Sequence, residues 1–173
     1  MILKYASSAL TTACMIGIAF IAHAEATQQI ENVRNQEYAE QHHCLALNVY
    51  HEARSDSVLG QKAVGFVTLN RVHSSRYPDT ICDVVYQAHL DSNGNPIRNK
   101  CQFSWWCDGK SDRPENQQAW VIAQQVADEV IQSYGVVEDF TEGATMYHAS
   151  YADPFWSDSY DRTVRIDTHI FYK

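Results

Sequence analysis

The run Cys44-Leu45-Ala46-Leu47-Asn48-Val49-Tyr50-His51-Glu52-Ala53 constrains this chain more than any other segment, because it reads as a buried helix and carries an acid at its end. Glu52 lies seven residues beyond Leu45 and three beyond Val49, which at helical pitch puts all three on one stripe. An apolar stripe faces protein. A carboxyl group placed there disfavours its charged form, so its pKa rises, as a general acid working near neutral pH requires. The competing reading is a surface glutamate in a last helical turn, the ordinary fate of Glu. The apolar neighbours argue for the buried one.

With 173 residues the chain is long enough for one domain with a real core and too short for two ordinary ones. Residues 1–24 read as a signal peptide. Lys4 supplies the positive start, residues 13–22 are largely apolar, and Ala22-His23-Ala24 offers a small-x-small cleavage site. The apolar run falls short of the ~20 residues that span a bilayer, so no membrane span is expected after cleavage. Cys14 follows Thr11-Thr12-Ala13, which lacks the apolar residue of a lipoprotein site. A periplasmic or secreted protein is expected. Residues 25–41, rich in Gln, Glu and Asn, read as a polar linker or a loosely held helix, and the functional domain spans 42–173.

Cleavage leaves Cys44, Cys82, Cys101 and Cys107, an even number in an oxidising compartment, so one or two disulfides are expected. Three connectivities are open. Net charge is −8, and loss of Lys4 makes it −9. No basic patch marks a nucleic-acid binder, and an acidic protein gains no long-range attraction to an anionic bacterial surface. Affinity for a cell wall would have to come from a shaped groove.

Periodicity predicts helices over residues 43–54 and 57–74, with Gly60 and Gly65 in the second permitting close approach of a neighbour. Pro78-Asp79 opens a short helix with Asp79 as N-cap, and Asp91-Ser92-Asn93-Gly94-Asn95-Pro96 must form an exposed turn. A long amphipathic helix follows, opened by a capping box at Asp112 and Glu115 and ended by Gly135. Alternation over Val164, Ile166, Thr168, Ile170 and Tyr172 reads as one strand, which residues 144–149 can pair with as a hairpin. The fold class is α+β, mainly helical.

Tyr50-His51-Glu52-Ala53-Arg54, Gly60-Gln61, Ala63-Val64, Leu69-Asn70-Arg71-Val72, Tyr77-Pro78 and Cys82-Asp83-Val84-Val85 occur in order. Cys101-Gln102-Phe103-Ser104, Cys107-Asp108-Gly109, Tyr147-His148, Pro154-Phe155-Trp156 and His169-Ile170-Phe171-Tyr172 follow. Together this series resembles the catalytic domain of the spore cortex-lytic (SleB-like) cell wall hydrolases, whose members also occur in bacteria that do not sporulate. The resemblance covers about residues 44–173. It implies a lysozyme-like fold with a small C-terminal β-hairpin, and cleavage of peptidoglycan glycan strands by a lytic transglycosylase reaction. In that family the glutamate matching Glu52 is the catalytic acid and base. Where members commonly have Gly-Glu, this chain has Ser55-Asp56.

Cutting the β-1,4 bond from N-acetylmuramic acid to N-acetylglucosamine needs a proton for the leaving oxygen and a nucleophile for C1. If the sugar's own C6 hydroxyl attacks, one carboxylate is enough, and a 1,6-anhydro product forms. A hydrolytic muramidase would need a second carboxylate, and Asp56 is the only acid close in sequence. Its expected role is instead to cap the next helix, through its own side chain or that of Ser55 or Ser57.

Gln102, Phe103 and Ser104 are candidates to line the groove opposite Glu52, unless they form a plain structural turn. Trp105, Trp106 and Trp156 offer flat surfaces for sugars, of which the neighbouring pair would present at most one. Tyr147 is a candidate to hold Glu52 or charge near C1, and His148 and His169 read as structural hydrogen-bonders. A zinc amidase would need His51, His148 and His169 to gather, but His51-Glu52-Ala53-Arg54 is followed by Ser55 where a zincin helix requires histidine. A binding module that does not cut would have no use for a buried acid. The expectation is therefore a monomeric enzyme acting on glycan strands with no metal and no cofactor.

Overall fold

The computed structural model describes residues 3–173, with side chains from His23 onward. All but the last two residues of the expected signal peptide thus lie outside the described side chains. The chain forms two compact units, Met1–Ala39 and Glu40–Lys173. The first is helical, and its described side chains, residues 23–39, are exposed. No described helix is long and apolar enough to cross a membrane.

Helix α1 (Leu3–Ala53) carries into the second unit, where every residue from Cys44 to Tyr50 is buried. Burying Leu45 and Val49 stabilises by about 1.5–3 kcal/mol each. Asn48 is fully buried on this helix and is satisfied on both sides. Its amide donates to Thr68 Oγ1 at 3.1 Å, and its carbonyl accepts from Trp105 Nε1 at 3.1 Å. An Asn48→Leu change would strand the indole N–H, while the Thr68 hydroxyl would keep its bond to Val64 O.

Helix α2 (Val58–Val72) starts where Ser57 accepts from Gly60 N, so Ser57 is its N-cap. The two glycines permit the close approaches that their spacing suggested. A Cβ at Gly60 would meet Asp167 Oδ2 at 2.5 Å, and one at Gly65 would meet Val130 at 3.2 Å. Asp167 also accepts from Ser57 N and Oγ, so a distant turn completes the helix N-terminus.

Short helix α3 (Ile81–Val85) is capped by Thr80, not Asp79, because the Thr80 hydroxyl accepts from Asp83 N. Strands β1 (Ala88–Leu90) and β2 (Pro96–Cys101), which periodicity did not reveal, form a hairpin around the exposed turn. A 3-10 turn (Ser104–Cys107) follows. Helix α4 (Gln117–Ser133) is capped by Asn116, which accepts from Ala119 N. The capping box expected at Asp112 and Glu115 is therefore not what opens it. Gly135, at φ +74°, stands just past its end.

The single C-terminal strand expected from alternation is two. β4 (Arg162–Ile166) and β5 (His169–Tyr172) flank a turn in which Asp167 has φ +47°. β3 (Met146–Ala149) pairs with β5, giving the antiparallel order β3-β5-β4. The turn changes which residues face inward: Ile166, His169 and Phe171 are buried, while Thr168 is exposed. The architecture is α+β and mainly helical, with small antiparallel sheets.

Two disulfides resolve the open connectivity. Cys44–Cys82 ties α1 to α3, and Cys101–Cys107 ties the end of β2 to the 3-10 turn.

Candidate active site

Glu52 stands one residue before the end of α1, and its position on the buried stripe crowds the carboxyl group with protein although part of the side chain still meets solvent. Tyr147, projecting from β3, donates its hydroxyl to Glu52 Oε2 at 3.1 Å. Burial raises the Glu52 pKa above its ordinary 4.5, opposed by the Tyr147 hydrogen bond and by the charge of Arg71. Tyr147 is itself held far above the ordinary phenol range, chiefly by burial and then by the Glu52 charge. Its phenol therefore stays a donor.

Arg71, on α2, is buried with only 4% of its surface exposed. Its Nε donates to Thr145 O at 2.7 Å, and its Nη2 lies 3.7 Å from Met146 Sδ. The rings of Phe103 and Tyr77 lie against its guanidinium at 5.0 and 5.3 Å. Nη1 is buried without a hydrogen-bond partner. Burial lowers the Arg71 pKa, yet guanidinium stays protonated in proteins. The carboxyl group of Glu52 therefore sits in the field of one buried cation, and no second acid appears among the groups acting on it. Sequence reasoning missed Arg71. The signal was available, because a charge inside Phe66-Val67-Thr68-Leu69-Asn70-Arg71-Val72 poses the same question as Glu52.

Asp56 is tied away from that carboxyl. It accepts from Thr168 Oγ1 at 2.9 Å and lies 2.9 Å from His169 Nδ1. The side chains of this pair are only 5% and 9% exposed. Its carboxylate thus joins the end of α1 to the β4–β5 turn, and the capping expected near it is done by Ser57.

The other candidates are distributed around this centre. A groove of about 920 Å³ is lined on one wall by the β1–β2 hairpin and Gln102, on the other by Phe155 and Trp156, with Met146 in its lining. Met146, whose Sδ lies 3.7 Å from Arg71 Nη2, is the lining residue that touches the surroundings of Glu52, and neither Glu52 nor Tyr147 is among the lining residues. Phe103 is in the core under Arg71, and Ser104 opens the 3-10 turn outside this lining. Trp105 and Trp106 lie in that turn rather than in a strand. Trp105 is buried against His51 and Asn48, while Trp106 packs on Tyr86.

The three histidines do not gather. His51 Nε2 lies 3.0 Å from Asp112 O, His148 Nε2 lies 2.9 Å from Tyr172 Oη, and His169 is with Asp56. Among the described residues no group of three or more His, Cys, Asp or Glu side chains is placed to hold a metal ion.

Two solved structures are similar to this chain. One is the catalytic domain of a germination-specific lytic transglycosylase, SleB, from Bacillus anthracis. It is 27% identical with a TM-score of 0.59, over 77% of this chain and 93% of that one. The other, the catalytic domain of the Bacillus cereus SleB protein, is 27% identical with a TM-score of 0.56, over 78% of this chain and 91% of that one. No curated protein matches significantly. The family model described as cell wall hydrolase matches residues 55–172, beginning just after Glu52 and taking in Arg71, the groove and Tyr147. Because that match spans well over half of the sequence, the chain belongs to the cell wall hydrolase family.

Proposed function

We propose that this protein is an exported lytic transglycosylase that cuts peptidoglycan glycan strands between N-acetylmuramic acid and N-acetylglucosamine, with Glu52 as its acid and then its base. The observation that carries this reading is a crowded carboxyl group bonded by one phenol, in the field of one cation and without a second carboxylate acting on it. The two similar structures, both SleB catalytic domains and one a lytic transglycosylase, support it. Export rests on residues 1–24 as a cleavable signal, with 42–173 as the catalytic domain.

Glu52 enters protonated, as its raised pKa favours. It gives that proton to the glycosidic oxygen as the C1–O bond breaks. The C6 hydroxyl of the same muramic residue attacks C1, and its proton returns to the Glu52 carboxylate. One C–O bond is lost and one is made, no water is consumed, and the enzyme is regenerated. Proximity replaces activation of a water, with effective molarities of roughly 10⁵ M or more for well-placed groups.

Between the two transfers Glu52 is ionised inside protein. Tyr147 and Arg71 are the groups that stabilise it then, since both favour the charged form. They act on the carboxylate as positioning residues, while Gln102 and Trp156 on the groove walls are the candidates to touch sugar. Phe103 and Ser104 contribute by shaping the segment that carries Gln102.

The test is digestion of purified sacculi with analysis of the muropeptides by mass spectrometry. Anhydro-muramic ends are expected. Ordinary reducing ends would mean attack by water, and free stem peptides would mean an amidase.

A further inference from the structure

The β1–β2 hairpin is cationic in an acidic protein. Across residues 88–101 it carries Arg98 and Lys100 against one acid, Asp91, with His89 beside them, in a chain of net charge −8. That acid closes the hairpin turn, its Oδ1 accepting from Asn93 N at 2.8 Å and from Asn95 N at 2.9 Å, and it is not among the groove's lining residues. Lys62 and Lys110 have carboxylate partners, Glu129 and Asp108, whereas Lys100 has none among the described residues. Arg98 points its Nη2 at Asp108 O, leaving Lys100 and His89 as the basic side chains that line the groove.

Large apolar side chains stand open on both walls. Leu90, on the hairpin itself, is 58% exposed, and Phe155, on the other wall, is 95% exposed. Large apolar side chains left this open beside a cavity mark a surface that a ligand covers.

A glycan strand is neutral, since the lactyl group of each muramic residue is taken up in an amide to its peptide. The ionised carboxylates of peptidoglycan are on the stem peptides. A wall that pairs two basic side chains with apolar ones therefore fits the peptide better than the sugar. We infer that the part of this groove lined by the β1–β2 hairpin and Phe155 is a subsite for the acidic stem peptide, beside Gln102 and Trp156, which are left for sugar, with Lys100 and His89 meeting the peptide's carboxylates and Phe155 and Leu90 its aliphatic parts. The subsite deepens the glycan-cutting reading, on which its catalytic consequence rests. It gives the enzyme a preference for strands whose peptides are intact.

The experiment compares soluble glycan strands of matched length, either bearing stem peptides or stripped of them by an amidase, the lactyl carboxylates that the amidase exposes then being capped as methylamides so that the stripped strand stays neutral. The wild type should show a kcat/KM about five-fold higher on the peptide-bearing strands, the scale of one exposed ion pair. Lys100→Ala should abolish most of that preference through KM with kcat kept, leave the stripped strands unaffected, and be exceeded by Lys100→Glu. Phe155→Ala should raise KM on the peptide-bearing strands by about two-fold, the share of the preference that Lys100 does not supply. Equal wild-type rates on the two substrates overturn the subsite. So does a Phe155→Ala loss that is the same on both while Lys100→Ala is silent, which would make the groove a sugar site. Titration with the free stem tetrapeptide, followed by NMR at Lys100 and Phe155, separates the two readings. Shifts that Lys100→Glu removes uphold the subsite even if no strand is cut, and absence of shifts sinks it even if strands are cut efficiently.

Discussion

Glu52 and Asp56 lie four residues apart in sequence where α1 ends, and the fold treats the two regions around them oppositely. Around Glu52 it supplies apolar packing, one phenol and a buried guanidinium. Around Asp56 it supplies a hydroxyl and an imidazole that take up both carboxylate oxygens. Both Asp56 oxygens are engaged in holding elements together, whereas Glu52 is crowded, raised in pKa and held by a single donor, the arrangement that the proposed reaction needs of its acid. The two are linked through the sheet, since the rings of Tyr147 and His169 meet edge to face at 5.2 Å.

The comparison breaks first at Glu52. Glu52→Gln should lower turnover of sacculi by about 10²–10⁴-fold, the range for loss of a general acid, while the protein stays folded by circular dichroism. Retention of most activity would remove Glu52 from the reaction. Asp56→Asn should do the reverse: specific activity of the folded protein is kept, but chemical denaturation should show a loss of about 1–3 kcal/mol, the scale of disturbing a buried hydrogen bond to a charged group. If Asp56→Asn is instead stable and inactive, a second carboxylate takes part.

Tyr147→Phe sharpens the comparison. It removes a donor that favours the ionised form of Glu52, so turnover should fall by about ten-fold, the scale of one hydrogen bond to a charged group. The Glu52 pKa should rise, moving the alkaline limb of the kcat/KM profile to higher pH. A limb that moves down would contradict the direction of that bond.

The smallest effect is on stability. Because burial raises the Glu52 pKa, the native state keeps this proton above pH 4.5, where the unfolded chain loses it. The native state then binds more protons, so stability falls as pH rises through that window. Glu52→Gln cannot ionise and should flatten the slope in thermal melts taken from pH 4 to 7.

Some of this was legible locally. The end of α1 and most of α2 follow from helical period, because a buried stripe repeats whatever packs on it. Cap residues were misplaced where several candidates stood together: Thr80 beside Asp79, and Asn116 beyond Asp112 and Glu115. Each end has several side chains able to accept a backbone N–H, and only chain direction selects among them. The C-terminal strand was misread for another reason. Alternation runs through Asp167-Thr168 without a Gly or Pro to interrupt it, while the turn there is held by Asp167 bonding back to Ser57.

Sequence by itself determined that a carboxyl group would be buried at the end of one helix, that a second helix would present glycines to its neighbours, and that four cysteines lie beyond residue 24. Tertiary structure alone decided the company each group keeps. Tyr147 reaches Glu52 across 95 residues, and His169 reaches Asp56 across 113. Arg71 and the groove between the hairpin and Phe155 depend on the same packing. Local periodicity reports which face of an element is buried, because that depends on near neighbours in the chain. It carries no information on what is packed against that face, which is settled when helices and sheet close on one another.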